Sequence, residues 1–115
     1  MTVRQVAQKL GLELLAPHGD LEAEVSGGYA SDLLSDVMAN AQPGQLWLTL
    51  QTHPNVAAVA ALKELAAVVL VNGRKPDPAT LEKAQEHKLT LLGTGLTAFE
   101  LAGRLYALGV KGGGA

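Results

Sequence analysis

The spacing of hydrophobic and polar residues predicts strands and helices that alternate over the second half of the chain. Strands are predicted at residues 45–50, 67–71 and 89–92. Helices are predicted at residues 54–65, from Pro78 to about His87, and from Thr97 to near Gly109. This βαβαβα order is typical of an α/β domain built on a small, mainly parallel sheet, because parallel strands need crossover helices.

The first part of the chain is predicted to hold shorter elements. Residues 3–10 have helical spacing, with Thr2 as a candidate N-cap and Gly11 as the stop. A short apolar strand is expected at 12–15, an extended segment at 25–31 and a short helix at 33–41. At the Gly27-Gly28 pair we expect a bulge or a close backbone contact. Residues 1–110 are therefore predicted to form one domain, followed by a flexible glycine-rich tail at 111–115.

Two segments have almost no polar side. Residues 67–71 are apolar at every position, as in a strand covered on both faces, so a three-layer-like arrangement is expected. The helix at 54–65 is apolar nearly all round, unlike a surface helix. Either it is enclosed within the fold, or one of its faces meets a second subunit or a partner protein.

Composition excludes several classes of function. The chain has 115 residues, 48% hydrophobic and 17% charged, which suits a globular domain. It has no cysteine, which excludes disulfides, thiolate zinc sites, iron–sulfur clusters and cysteine nucleophiles. The net charge is −2 and the basic residues are scattered, so no nucleic-acid partner is expected. No membrane-spanning run and no signal segment are recognised, and a cytoplasmic location is predicted.

A glycine motif follows the last predicted strand. Residues 93–98, GTGLTA, match the dinucleotide pattern G-x-G-x-x-A between a strand and a helix. Only 17 residues follow, however, so there is no further strand to supply the ribose-binding acid. A turn leading into a capped helix is therefore favoured over dinucleotide binding. Weaker phosphate binding by the free N–H groups of that helix stays open.

Polar residues and glycines follow all three predicted parallel strands. Ligands of such sheets bind beyond the carboxyl ends of the strands, where these loops meet. The predicted ligand-binding residues are Thr52, His53, Asn55, Asn72, Gly73, Thr94, Gly95 and Thr97. The competing interpretation for Thr52 and His53 is that they only cap the helix that follows.

Catalytic and metal-binding patterns are sparse. There is no P-loop, no nucleophile elbow and no H-x-x-x-H pair, and neither a catalytic residue nor a metal ligand is predicted. Asp32 and Asp36 are four residues apart and would suit acid–base work or a divalent cation. Capping of the short helix by Asp36 or Ser35 is favoured instead. No cofactor is indicated.

Residues 25–108 resemble the DRTGG domain family. The stretches that carry the resemblance are GYASDLLSDVM (28–38), QTHPN (51–55), VLVNG (69–73) and TGLTAFELA (94–102). The five-letter string that names the family is absent, and Asn72-Gly73-Arg74 occupies roughly its glycine-rich part. The resemblance implies a stand-alone copy of a regulatory or ligand-sensing module, of the kind attached to phosphotransacetylases and CBS-pair proteins. Such copies look like companions of redox and signalling operons.

Two further resemblances concern the fold. DRTGG domains are similar to the N-terminal domain of HPr kinase/phosphorylase, whose P-loop kinase domain has no counterpart here. A fainter resemblance links Asp32 and residues 43–47, PGQLW, to the N-terminal domain of Mur ligases. The arginine that accompanies that aspartate is absent, so uridine-nucleotide binding is not implied.

Three hypotheses for function follow. The first is a non-catalytic regulatory module that binds a small anionic ligand or nucleotide at the carboxyl ends of the strands. The second is a homodimeric or docking domain that uses the apolar helix at 54–65. The third, which has the least support, is a small enzyme using Asp32, Asp36 and His53.

Overall fold

A computed structural model, described here for residues 1–112, places a five-stranded sheet between two layers of helices. The strands are β1 (Glu13–Pro17), β2 (Gly27–Ala30), β3 (Gln45–Thr49), β4 (Ala67–Leu70) and β5 (Thr90–Gly93). The helices are α1 (Val3–Leu10), α2 (Leu34–Asn40), α3 (Asn55–Leu62), α4 (Pro78–Glu86) and α5 (Ala98–Ala107). The predicted α/β class is confirmed, including the βαβαβα order from β3 onwards.

The sheet has the order β1-β5-β4-β3-β2. Strands β2 to β5 are parallel, with Trp47 of β3 paired to Tyr29 of β2 and Val68 of β4. Only β1 runs antiparallel, along β5, with a bulge between Leu14 and Ala16. Because four neighbouring strands point the same way, the loops that follow them lie along one border of the sheet. We call the loops 31–33, 50–54, 71–77 and 94–97 the carboxyl edge.

Each face of the sheet has its own apolar core. On one face, Trp47, Val68 and Leu91 pack against α2, α3 and α4. On the other, Leu46 and Val69 pack against α1 and α5. Alternate residues of β3 and β4 thus point into different cores, which explains why both strands are apolar or buried at every position.

The position of α3 accounts for its nearly uniform apolar surface. It lies between α2 and α4, with Val56, Ala57 and Ala60 fully buried. The helix ends at Leu62, earlier than predicted, because Glu64 adopts a left-handed backbone conformation (φ 56°) that redirects the chain into β4. Of the two alternatives, the structure therefore supports enclosure within the fold for most of α3. Only a narrow face of the helix points outward.

The two ends of the described chain are tied to the sheet and its neighbouring loops. Thr2 and Gln5 form a reciprocal capping box at the start of α1. Near the other end, the carbonyl of Lys111 accepts a 2.8 Å hydrogen bond from the N–H of Gly28, the close contact expected at the glycine pair. Gln45 holds the carbonyl of Gly112 with its side-chain amide at 2.7 Å. The rest of the predicted glycine-rich tail, residues 113–115, lies outside the described residues.

The start of α2 differs from the expectation. Its N-cap is Leu33, which provides no side-chain cap, and Asp36 lies one turn further on. Asp36 instead accepts hydrogen bonds from Tyr29 and Asn40. Capping by Asp36 or Ser35 was therefore wrong, because the carboxylate of Asp36 is drawn to the tyrosine of β2. None of the helices described within residues 1–112 has the length and apolar character needed to cross a bilayer.

Candidate functional site

Two loops of the carboxyl edge are joined by main-chain hydrogen bonds. The N–H of Gly73 donates to the carbonyl of Thr94 at 2.8 Å, and the N–H of Asn72 donates to the carbonyl of Leu96 at 2.9 Å. Both Asn72 (φ 57°) and Gly73 (φ 68°) have left-handed backbones, which turn the chain back towards the neighbouring loop. Asn and Gly are the residues that adopt this conformation most readily. The structure thus brings together three of the predicted ligand-binding residues.

The loop after β3 is joined to the start of α4. The carbonyl of Thr52 accepts hydrogen bonds from the hydroxyl of Thr80 at 2.6 Å and from the N–H of Asp77 at 3.2 Å. Asp77 is the N-cap of α4, with Pro78 at the first helical position as predicted. A continuous set of contacts therefore connects the loops after β3, β4 and β5.

His53 and Asn55 lie at the start of α3 and are exposed. The Nδ1 atom of His53 accepts a hydrogen bond from the N–H of Asn55 at 3.2 Å. The N-cap of α3 is Pro54, which provides no side-chain cap, so Thr52 and His53 are not the N-cap that the capping interpretation expected, and His53 only bonds the first N–H of the helix from the residue before the cap. Within residues 1–112 neither residue is hydrogen-bonded to any of the other six predicted ligand-binding residues.

Thr94 and Thr97 shape the entry to α5. The hydroxyl of Thr97 accepts from the N–H of Glu100 at 3.2 Å, which forms the N-cap. The hydroxyl of Thr94 accepts from the N–H of Leu96 at 3.1 Å and closes the turn. Gly95 between them is exposed, and a Cβ atom added there would meet no atom within 4 Å. The backbone at Gly95 is therefore exposed to solvent.

Several polar groups at the carboxyl edge have no partner within residues 1–112. The side chains of Thr52, Asn55 and Asn72 form no hydrogen bond there, and Arg74 forms no salt bridge. The neighbouring Lys75 is paired with Glu13 of β1 at 2.7 Å. Arg74 was not among the predicted site residues, although its place directly after Gly73 was a usable signal.

Asp32 joins the loop after β2 to the end of β3. Its Oδ1 atom accepts from the hydroxyl of Thr49 at 2.9 Å and from the N–H of Leu50 at 2.7 Å. Gln51 also donates its side-chain amide to the carbonyl of Asp32 at 3.0 Å. The carboxylate thus stabilises this corner of the edge and makes it negative. An anion is better accommodated at the other end, near Arg74.

A second carboxylate, Asp36, is held by the side chains around it. The Tyr29 hydroxyl lies 2.8 and 2.9 Å from its two oxygens, and Asn40 donates at 2.9 Å. The nearby Ser31 hydroxyl, then the hydrogen bonds from Tyr29 and Asn40, lower the pKa of Asp36 by favouring its charged form. The same carboxylate raises the pKa of Tyr29. The lowered pKa of Asp36 and the raised pKa of Tyr29 both mean that the surrounding hydrogen bonds keep Asp36 ionised and Tyr29 protonated.

The residues considered for catalysis have separate partners. No hydrogen bond within residues 1–112 joins any two of Asp32, Asp36 and His53. Within that range no group of three histidine, aspartate or glutamate side chains is arranged to hold a metal ion. Asp32 and Asp36 are engaged in holding β2, α2 and β3 together.

Three surface pockets lie away from the predicted ligand-binding residues. One of about 310 Å³ lies between β2 and α5, and one of about 400 Å³ lies between α1 and β1. A third, of about 170 Å³, lies at the amino ends of β3, β4 and β5. None of the three is lined by any of the eight predicted residues. The pocket beside α5 could not be predicted from the sequence. It forms because two small residues of β2, Gly28 and Ala30, face a helix that is far away in the sequence.

Comparison with known proteins gives one informative similarity. The sequence matches no protein-family model and no curated protein. Its fold is similar to a crystal structure of the CBS and DRTGG domains from the regulatory region of Clostridium perfringens pyrophosphatase, in complex with the activator diadenosine tetraphosphate. The TM-score is 0.74 and the sequence identity 12%, over 96% of this chain and 47% of that one. This chain thus spans about half the length of that structure, and the likeness concerns a DRTGG-like fold.

Proposed function

We propose that the chain is a non-catalytic regulatory domain that binds a small anionic ligand, of the nucleotide or acyl-phosphate class, at the carboxyl edge. The observation that carries this proposal is the set of hydrogen bonds that joins the loops after β3, β4 and β5. It holds the backbone in place while the side chains of Thr52, Asn55 and Asn72 stay without partners within residues 1–112. Such preorganised polar groups reduce the ordering cost of binding.

The charges of the edge favour a position for the anion between the loops after β4 and β5. Arg74 supplies a cation without a salt bridge within residues 1–112, and the first turn of α5 supplies backbone N–H groups together with one carboxylate, Glu100. Asp32 disfavours an anion at the β2 and β3 end. Asn72, Gly73, Thr94, Gly95 and Thr97 are therefore the proposed contacts of the phosphate. Thr52, His53 and Asn55 are the proposed contacts of the rest of the ligand.

We also propose that the chain is a DRTGG-type domain. The support is the DRTGG-like fold together with the sequence stretches that resemble the family. The pyrophosphatase neighbour belongs to a regulatory region and was solved with an adenine-nucleotide activator, which makes diadenosine tetraphosphate a reasonable probe here. A cytoplasmic location and the lack of a nucleic-acid partner belong to the same proposal.

Thermal-shift measurements with inorganic phosphate, acetyl phosphate, adenosine mono-, di- and triphosphates and diadenosine tetraphosphate test this proposal. Binding to the folded state raises the free energy of unfolding, and with it the unfolding temperature, by an amount that grows with the logarithm of the ligand concentration over its dissociation constant. At least one of these anions is expected to stabilise the chain. Absence of any shift at millimolar concentrations of every anion would contradict the proposal.

Variants then locate the site. Arg74→Ala is expected to weaken binding about tenfold or more, since it removes the nearest unpaired cation. Thr94→Val and His53→Ala test the loops after β5 and β3. Lys88→Ala is the matched control, because Lys88 is an exposed cation at the opposite border of the sheet. Equal loss in Arg74→Ala and Lys88→Ala would point to non-specific charge attraction instead.

A further inference from the structure

Helix α5 has an apolar stripe among its exposed residues. Leu101 and Leu105 are buried in the core beneath it. The stripe consists of Phe99, Ala102, Gly103 and Tyr106, all exposed. This spacing of i, i+3, i+4 and i+7 forms one face of a helix. Phe99 is 86% exposed, more than any other large hydrophobic residue described, and Tyr106 is 59% exposed. Contiguous exposed apolar patches, rather than single exposed residues, mark interaction surfaces.

A pocket adjoins the carboxyl-terminal half of the stripe. It has a volume of about 310 Å³ and lies between α5 and the edge strand β2. It exists because Gly28 and Ala30 bring little or no side chain against the helix. Ala102 and Tyr106 of the stripe form part of its wall. We call it the β2–α5 pocket.

We infer that the stripe and the β2–α5 pocket form a two-fold interface with a second copy of this chain. Phe99 and Tyr106 are seven residues apart, about 10 Å along the helix axis. When two α5 helices pack antiparallel, Phe99 of each copy lies opposite Tyr106 and the pocket of the other. The exposed ring and the pocket that receives it therefore occur twice, as a two-fold interface requires. The small residues Ala102 and Gly103 at the centre allow the helices to approach closely.

Charge complementarity also favours a second copy in this orientation. Glu100 and Arg104 are exposed on one flank of the stripe and form no salt bridge within residues 1–112. In an antiparallel pair, Glu100 of each copy meets Arg104 of the other, which creates two reciprocal ion pairs. In a parallel two-fold pair the flank that holds both charges would face the opposite flank of the partner helix, and these ion pairs would not form. The inference is independent of the ligand proposed at the carboxyl edge, and it assigns dimerisation to α5, whereas the sequence pointed to α3.

Analytical ultracentrifugation from micromolar to several hundred micromolar chain tests the inference. The wild type is expected to dimerise reversibly. Phe99→Asp is expected to raise the dimer dissociation constant at least about tenfold, because it removes the ring that fills the pocket. Ala30→Phe fills the pocket from within and should also raise the dimer dissociation constant. Leu62→Asp is the matched control, since Leu62 is 69% exposed on α3, and it should leave the constant within about twofold.

A charge exchange keeps the test decisive if the aromatic variants misfold. Glu100→Arg and Arg104→Glu each place like charges across the interface, and each should weaken the dimer at least about tenfold. The double variant restores opposite charges and should return the constant to within about threefold of the wild type. A wild type that is monomeric throughout overturns the inference. So does a dimer that Phe99→Asp leaves intact, one that only Leu62→Asp dissociates, or a double variant without rescue.

Discussion

Gly73 donates its main-chain N–H to the carbonyl oxygen of Thr94 at 2.8 Å, which joins the loop after β4 to the loop after β5. The two residues lie in the loops that follow the neighbouring parallel strands β4 and β5. Their bond depends on the left-handed backbone of Gly73. The carboxyl edge is therefore held by backbone geometry, and its side chains are left for other contacts.

Gly73→Ala is expected to lower the free energy of unfolding by about 1 kcal/mol, because a Cβ atom is disfavoured at a φ of 68°. No atom lies within 4 Å of that Cβ, so the cost comes from the backbone alone. Gly95→Ala is the matched control, with open space and no left-handed φ, and should be near neutral. Urea unfolding followed by circular dichroism measures both. Equal effects of the two substitutions would contradict a special role for the Gly73 turn.

Asp32 and Thr49 are expected to be coupled in stability. Asp32→Ala removes the acceptor of two hydrogen bonds, so the N–H of Leu50 loses its partner. We expect the free energy of unfolding to fall by about 1–3 kcal/mol. Thr49→Val removes one of the two donors and should cost less. A double-mutant cycle by urea unfolding should give a coupling of about 0.5–1.5 kcal/mol. Strictly additive effects would show that the bond between these side chains contributes nothing.

Stability in acid is expected to depend on Asp36. Its pKa is lower in the folded chain than its ordinary value of 3.8, because the nearby Ser31 hydroxyl and the hydrogen bonds from Tyr29 and Asn40 favour the carboxylate. The folded state therefore binds fewer protons than the unfolded state. This stabilisation is complete above the ordinary pKa and is lost as the pH falls through the lower, folded value.

The corresponding measurement is the free energy of unfolding of the wild type and Asp36→Asn as the pH is lowered from neutral into this acid range. The wild type should lose more stability than Asp36→Asn, and Tyr29→Phe should be intermediate. Glu82→Gln controls for the loss of one negative charge, since Glu82 is an exposed residue of α4 without hydrogen bonds within residues 1–112. Parallel acid curves for the wild type and Asp36→Asn would refute this role of Asp36.

Thr90 offers a substitution that is expected to stabilise the chain. Its hydroxyl is buried and has no hydrogen-bond partner within residues 1–112. Thr90→Val replaces it by a methyl group of similar shape and should raise the free energy of unfolding by about 1 kcal/mol. Thr90→Ser keeps the hydroxyl, loses a buried methyl group and should lower it by about 1 kcal/mol. If Thr90→Val were the less stable of the two, the hydroxyl would have to be hydrogen-bonded.

The elements from β3 onwards could be predicted because their signals are local. Pro78 at the first position of α4 and Thr97 as the N-cap of α5 are features of a few consecutive residues. The early end of α3 could not, because the left-handed Glu64 is imposed by the need to redirect the chain into β4. The antiparallel pairing of β1 with β5 was also out of reach, since it joins segments far apart in the sequence.

The candidate site, too, could be predicted only in part from the sequence. That Asn72, Gly73 and Thr94 lie at one edge follows from a general property of parallel sheets, and the structure brings these residues together. The partner of Asp36 could not be predicted, because Tyr29 lies on a strand whose register is set by β3. The stripe of α5 has a visible helical spacing in the sequence. Only the structure shows which side of the helix packs on the sheet.

Nuclear magnetic resonance titration of the isotope-labelled chain with diadenosine tetraphosphate tests ligand binding at the carboxyl edge most directly. Saturable shifts are expected for the backbone N–H signals of Asn72, Gly73, Gly95 and Thr97, with smaller shifts for Thr52 and Asn55. Arg74→Ala should weaken these shifts, and Lys88→Ala should not. A titration without saturable shifts, or with shifts confined to the residues of the β2–α5 pocket, would contradict a nucleotide site at this edge.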